Sequence, residues 1–217
     1  MNNINFKEAH TTNFKKGRAD KIKYIVVHYT ANNGDTAKNN ADYYRNTKNL
    51  KASAHYFVDK NNIWQSVKEE DTAYHSGATR YKHFECRNSN SIGVEMCSLK
   101  DNSGRYYILP EIIKNTAKLI KDIMKRYGIP FENILRHYDV TGKICPAPMV
   151  EDESTWYDFK NMLKEKIESA NDIDYILKWK YGISFESMEN EKEFIKLLDE
   201  EKKKNSKLYW VFYKLVN

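Results

Sequence analysis

The residues of this chain best equipped for chemistry fall within nine positions, in His137-Tyr-Asp-Val-Thr-Gly-Lys-Ile-Cys-Pro146. The imidazole of His137 and the thiol of Cys145 are borderline-soft donors of the kind zinc selects. Lys143 precedes Cys145 by two residues. Side chains two apart share a side of an extended segment, which would set an ammonium beside a metal thiolate. Pro146 and Pro148 oppose continuation of a helix through this region, so it reads as a loop held in place by what it binds. Taken alone, the same spacing also describes a surface turn with a buried cysteine nearby.

A metal site needs further ligands and elements that carry them. Lys23-Tyr-Ile-Val-Val-His-Tyr-Thr30 is β-branched and aromatic, the composition of a buried strand, with His28 near its C-terminal end. A lone histidine there reads as a satisfied core residue. Joined to His137 and Cys145 it completes three protein ligands, the number that leaves a catalytic zinc open to water, whereas structural zinc is closed by four. No Cys-x-x-Cys pair occurs, which argues against a structural zinc ribbon.

The positioning elements follow from periodicity. Asp35 is placed to cap a helix from Thr36 to about Asn46, with Ala37, Ala41 and Tyr44 on one face. Residues 54–59 and 63–67 form a hairpin across Asn61-Asn62. Residues 68–90 lack a sustained period and carry His75, His83 and Cys86, a long loop of the sort that often serves function. In the strand 91–97, Ile92, Val94 and Met96 face one way, and Gly93, Glu95 and Cys97 the other. Pro110 and Gly128 bound a helix whose inner stripe is Ile112, Ile113, Ala117, Ile120, Met124 and Tyr127. Residues 133–137 are a short strand or loop, and residues 153–168 a helix with Trp156, Phe159, Leu163 and Ile167 inward. The polar residues 1–20 form an arm laid over the domain. The fold expected is α/β, a central mixed β-sheet flanked by helices, in a domain spanning 1–169, followed by a small α-helical module at 172–217.

Composition narrows the function. The net charge is +6, which favours polyanionic partners such as nucleic acid, anionic lipid or an anionic cell wall. Residues 171–217 hold nine lysines and nine acidic residues, so the excess lies before them. It is scattered there, and no nucleic-acid-binding motif accompanies it, so no nucleic-acid partner is expected. No apolar run, Tyr24-Ile-Val-Val27 included, is long enough to span a bilayer, and no membrane partner is expected. The first residues show no apolar secretory region, and three cysteines make no disulfide framework; Cys86 and Cys97 read as free thiols. Synthesis in a reducing cytoplasm is expected. Asp139 is either an acceptor that orients His137 or a turn residue, and His10 and His83 read as surface residues.

Five segments in order resemble the zinc-dependent N-acetylmuramoyl-L-alanine amidases of phage endolysins, bacterial autolysins and catalytic peptidoglycan-recognition proteins. They are Ile25-Val-Val-His-Tyr-Thr30, Ser53-Ala-His-Tyr-Phe-Val58, Ala73-Tyr-His-Ser-Gly77, Asn90-Ser-Ile-Gly-Val-Glu-Met96 and His137 to Pro146, within residues 20–168. The resemblance implies one zinc per chain on His28, His137 and Cys145, with Glu95 as general base and Lys143 as stabiliser of the tetrahedral intermediate. It places His55 where several relatives carry a catalytic tyrosine, with Tyr56 beside it, and it sets His75 in the substrate groove. Peptidoglycan is the implied substrate, cut at the amide between the lactyl group of N-acetylmuramic acid and L-alanine. With no signal peptide in view, a phage endolysin made in a host cytoplasm and acting on the wall after release fits. A non-catalytic wall-binding relative or a different zinc wall peptidase is the alternative. Residues 172–217 carry nine aromatic side chains, suited to wall polymers, to homodimer formation, or simply to a small core.

Overall fold

A computed structural model describes residues 4–164. In chain order they form β1 (Ile4–Phe6), β2 (Phe14–Lys15), β3 (Tyr24–Tyr29), α1 (Ala37–Asn46), β4 (Tyr56–Val58), β5 (Ile63–Gln65), β6 (Thr72–Ala73), β7 (Ser91–Met96), β8 (Leu99–Lys100), β9 (Tyr106–Tyr107), α2 (Pro110–Tyr127), β10 (Ile134–Arg136), α3 (His137–Thr141), α4 (Ala147–Val150) and α5 (Glu153–Leu163). Six strands make one sheet in the order β1-β5-β4-β7-β3-β10. Only the β4–β5 hairpin is antiparallel; the other neighbours run parallel. This is the mixed sheet with flanking helices that the periodicity predicts.

Strands β3 and β7 are buried along almost their whole length, as parallel strands covered on both faces must be. Their register pairs Ile25 with Ile92, Val27 with Val94 and Tyr29 with Met96, and these side chains belong to the main core with Ile112, Ile120 and Ile123 of α2 and Phe159 and Leu163 of α5. The alternate residues pair Tyr24 with Ser91, Val26 with Gly93 and His28 with Glu95 on the other face. Tyr24 and Val26 meet Cys86 and Val140 in a separate cluster there. One face is therefore apolar and helix-covered, and the other receives the loops.

Several local readings change. Thr36, not Asp35, caps α1, its side chain accepting from the Asn39 N–H in a capping box. The Asp35 carboxylate instead accepts from Thr30, Asn32 and Asn40 side chains, tying the β3 exit to α1. The N-terminal arm joins the sheets: β1 adds an edge strand beside β5, and β2 pairs with β6. The expected loop after His137 is a short helix, α3, stopped by Gly142 at φ +86°, and Pro146 caps α4 rather than merely ending a helix. Pro110 and Gly128 bound α2 as expected. Its buried stripe is turned to include Thr116, Leu119 and Ile123, while Tyr127 stays at the surface. The remainder of the expected helix 153–168, with Ile167, and the module 172–217 lie outside the described residues.

One buried carboxylate binds the helix face to the sheet. Glu69 accepts hydrogen bonds from the Tyr56 hydroxyl (2.7 Å), the Tyr127 hydroxyl (2.7 Å) and the Arg126 guanidinium (2.8 Å). Burial opposes the charge, yet these donors hold the Glu69 carboxyl below its usual range. Its stabilising contribution is complete above the unfolded carboxyl value near 4.3 and is lost as pH falls through the lower folded value. Glu69→Gln is expected to cost about 1–3 kcal/mol at neutral pH, because it removes the charge to which Tyr56, Tyr127 and Arg126 donate, while the half-exposed Arg126 keeps Asp122. Urea unfolding from pH 7 to 3 checks this: the gap to the parent protein should narrow on the acid side.

Candidate metal centre and groove

The second face of the sheet gathers the chemical residues. The alternation of β3 turns His28 onto this face, in register with Glu95. Strand β10, parallel to β3, delivers the chain into α3, whose first residue is His137. Arg136 fixes that corner: its side chain bonds both Asp139 oxygens (2.9 and 3.1 Å), Glu153 (2.8 Å) and the Met149 carbonyl (2.8 Å). Asp139 is thus spent on Arg136 and does not orient His137. The Tyr138 N–H donates to the Cys145 carbonyl (3.0 Å), which folds the far end of the segment back onto its start.

The result is a cluster of three buried donors. His28 Nδ1 lies 3.1 Å from His137 Nδ1 and 3.7 Å from Cys145 Sγ, and the ligand atoms of all three residues fall within 4.8 Å of one another. A tetrahedral ion with ordinary zinc bond lengths needs nitrogens about 3.3 Å apart and sulfur about 3.6 Å from nitrogen. The donor set, two imidazoles and a thiol, and its spacing fit such an ion. Burial dominates the titration of each group. It drives His28 well below its ordinary value and His137 to about 4, both assisted by the Lys143 ammonium, and pushes the Cys145 thiol up to about 12.

Glu95 sits beside this cluster. Burial raises its carboxyl to about 8 against the opposing pull of Lys143, and its Oε2 is buried without a hydrogen-bond partner. Lys143 is exposed. Together with His137 and His75 it lines a groove of about 1150 Å³ that also takes in Lys51 and Arg80 and has no acidic residue in its wall. Lys143 and Cys145 do not share a side as an extended segment would have it, since one faces solvent and the other is 3% exposed.

The remaining sequence candidates divide. His75 is 9% exposed and packs edge-on against His28, with ring centroids 5.2 Å apart. His55 is fully buried. Its Nδ1 accepts the Gly93 N–H (3.0 Å), and its Nε2 lies 2.6 Å from Arg18 Nη2 and 3.3 Å from the Asp71 carbonyl. Burial and the Arg18 charge hold it neutral, at about 3. Tyr56, 3% exposed, is in register with Val94 and so turns to the α2 face, where it meets Glu69. His55 and Tyr56 are thus both buried, His55 against Gly93 and Tyr56 against Glu69. Sequence reasoning also passed over Arg18, Ser91 and Gly93. Glycine inside a strand signals close approach by another group, and this one is met by the His75 ring: a Cβ at Gly93 would lie 2.5 Å from His75 Cγ.

Residues 18–148 match the family described as N-acetylmuramoyl-L-alanine amidase. The chain is 44% identical over 147 residues to the N-acetylmuramoyl-L-alanine amidase CwlL of Bacillus licheniformis, an alignment covering 64% of this chain and 40% of that protein. It therefore spans less than half the length of this curated relative. Among solved structures, a mutant endolysin from Bacillus subtilis superposes with a TM-score of 0.62 at 30% identity, covering 76% of this chain and 100% of that one. The amidase AmiD from E. coli, in complex with anhydro-N-acetylmuramic acid-L-Ala-D-gamma-Glu-L-Lys, gives 0.51 at 26% identity over 73% of this chain and 65% of that one. The chain belongs to the N-acetylmuramoyl-L-alanine amidase family.

The packing of Gly93 yields a direct test. Gly93→Ala forces His75 or the strand to move and is expected to lower stability by about 1–3 kcal/mol, the usual cost of overpacking a core. Chemical denaturation of the two proteins at equal metal content measures it.

Proposed function

We propose that this chain hydrolyses peptidoglycan at the amide joining N-acetylmuramic acid to L-alanine, with one zinc held by His28, His137 and Cys145. The observation that carries the reading is the convergence of those three buried donors beside the unpartnered Glu95 oxygen, in a chain of this family. When bound, zinc supplies Lewis acidity, which makes water a stronger acid and polarises an amide carbonyl. Glu95 takes a proton from the attacking water and returns it to the departing L-alanine amine. Burial makes this carboxylate a stronger proton acceptor than a free one, against the opposing pull of Lys143. Lys143 brings positive charge to the oxygen that becomes anionic in the transition state. His75 is assigned to orientation within the site. Lys51 and Arg80 give the groove wall a charge suited to an anionic stem peptide of the kind bound by AmiD. Among the described residues no helix is long and apolar enough to cross a membrane. The role that fits is that of an endolysin acting on the wall after release from a host cytoplasm.

The purified protein should hold about one zinc per chain, on the open three-ligand pattern. Removal of the metal should abolish release of L-alanine amino groups from cell walls, and Cys145→Ser should lose metal. Glu95→Gln should keep zinc while turnover drops by roughly 10²–10⁴, and Lys143→Ala should lower kcat with metal content unchanged. Full activity of a verified metal-free sample overturns the reading; near-normal turnover of Glu95→Gln moves the base elsewhere.

Residues 172–217 lie beyond both the described residues and the family match. We propose wall attachment for them, through secondary wall polymers or glycan, ahead of homodimer formation. Their nine aromatic side chains and balanced charge support contacts by stacking rather than by net attraction. A chain ended at Ser169 should cleave a soluble muropeptide normally and act poorly on intact cells. Equal lysis by both forms would refute attachment, and a dimer in light scattering that truncation dissolves would favour the assembly role.

A further inference from the structure

Each donor of the metal cluster must present an unprotonated atom. For His28 that atom is Nδ1, the one facing His137 Nδ1 and Cys145 Sγ. Its ring proton then belongs on Nε2, and a buried N–H needs an acceptor. The group in place is His75 Nδ1, 3.0 Å away. We infer that His75 is a positioning residue of the metal centre: with Ser91 it fixes the tautomer and ring angle of His28 through a hydrogen-bond relay that ends on a backbone carbonyl. The inference rests on the reading of His28 as a metal ligand.

The direction of the relay is set from its far end. Ser91 Oγ donates to the Arg87 carbonyl (2.7 Å), which can only accept. The Ser91 hydroxyl has spent its proton there, so it accepts from His75 Nε2, 3.2 Å away. His75 then carries its proton on Nε2, and its Nδ1 is free to accept from His28. With the Ser91 hydroxyl directed to the Arg87 carbonyl, the series leaves His28 Nδ1 bare. Metal-binding histidines commonly direct their outer N–H to an acceptor of this kind. Here the acceptor is a neutral imidazole, so His28 is oriented without bringing another negative charge to the site.

The surroundings hold the His75 ring in place. The backbone N–H groups of His75 and Ser76 both donate to Asn88 Oδ1 (3.2 and 2.8 Å), which anchors this part of the long loop. The ring rests over Gly93, where any Cβ would collide with it, and meets the fully buried His55 edge-on at 5.7 Å between centroids. A groove-lining residue needs none of these restraints.

The test compares zinc affinity in the full chain, by competition with a chromophoric chelator at fixed pH, for the parent, His75→Leu, His75→Asn and Ser91→Ala. Asn places an amide oxygen near the position of Nδ1, whereas Leu keeps bulk without an acceptor. His75→Leu is expected to bind zinc about 10–100-fold more weakly, with His75→Asn recovering most of the loss and Ser91→Ala falling between. Cobalt(II) substitution adds a spectroscopic readout: the ligand-field bands of the Leu variant should shift, and those of the Asn variant should follow the parent. Far-UV circular dichroism and a cooperative melt establish folding. If His75→Leu does not fold, Ser91→Ala decides, and parental affinity there overturns the relay. A folded His75→Leu that binds as tightly as the parent also overturns it, as does an Asn variant as weak as Leu. A parent that binds no zinc overturns the metal reading itself, and the relay with it.

Discussion

The parallel pairing of β3 with β7 is the constraint on which the rest depends. Because side chains alternate along a strand, one register, His28 opposite Glu95, decides both faces of the sheet. A slip of one residue would bury His28 among Ile112, Ile120 and Ile123 of α2 and turn Ile25 and Val27 toward the groove. The apolar residues of the same strands resist such a slip, since it would transfer the whole Ile25, Val27, Ile92, Val94 and Met96 layer out of the main core. The hydrophobic core and the chemical site are therefore specified by the same register. Hydrogen bonding between β3 and β10 extends this control, because α3 begins one residue after β10 and places His137 against His28.

Burial has a second consequence on the polar face. Four histidines of the chain, His28, His55, His75 and His137, are less than a tenth exposed. In each, burial lowers the affinity for a proton. Neutral imidazoles can be packed this closely, whereas imidazoliums at these separations would repel. Burial acts in the opposite sense on Cys145 and Glu95, favouring the protonated, neutral thiol and carboxyl. Burial thus favours the neutral form of each of these side chains. A divalent cation would reverse that balance at the thiol, which must lose its proton to become a ligand.

Much of this was legible in the chain, and the reasons are physical. The strand 23–30, the hairpin, the alternation of 91–97 and the limits of α2 follow from periodicity and from Pro110 and Gly128, which act locally. The three donors were legible because ligand chemistry restricts residue type. What escaped depends on tertiary pairing. The arm 1–20 lacks an apolar period, yet β1 needs only one free sheet edge to become a strand. Thr36 and Asp35 are both good caps, and the choice was made by the groups around Asp35, contributed by β3 and α1. His55 and Tyr56 adjoin in sequence and resemble site residues, but one is pinned beneath Gly93 and the other turned to the opposite face. The neighbour that His75 would meet was invisible without the fold, although the glycine making room for it was in plain view.

Two glutamates show how structure separates support from chemistry. Glu69 and Glu95 are of one residue type, and burial disfavours the charge of each. Glu69 is saturated by an arginine and two tyrosine hydroxyls, and its carboxyl is held below the usual range. Glu95 keeps an oxygen with no partner, and its carboxyl is raised to about 8. A saturated carboxylate cannot take up a proton without breaking bonds that hold β4 to α2, so it serves the fold. An unsaturated one beside three metal-type donors carries a desolvation cost that the Lys143 charge opposes only in part. The same residue type thus serves the fold where donors saturate it, and stands ready for proton transfer where it faces the His28, His137 and Cys145 cluster with an oxygen to spare.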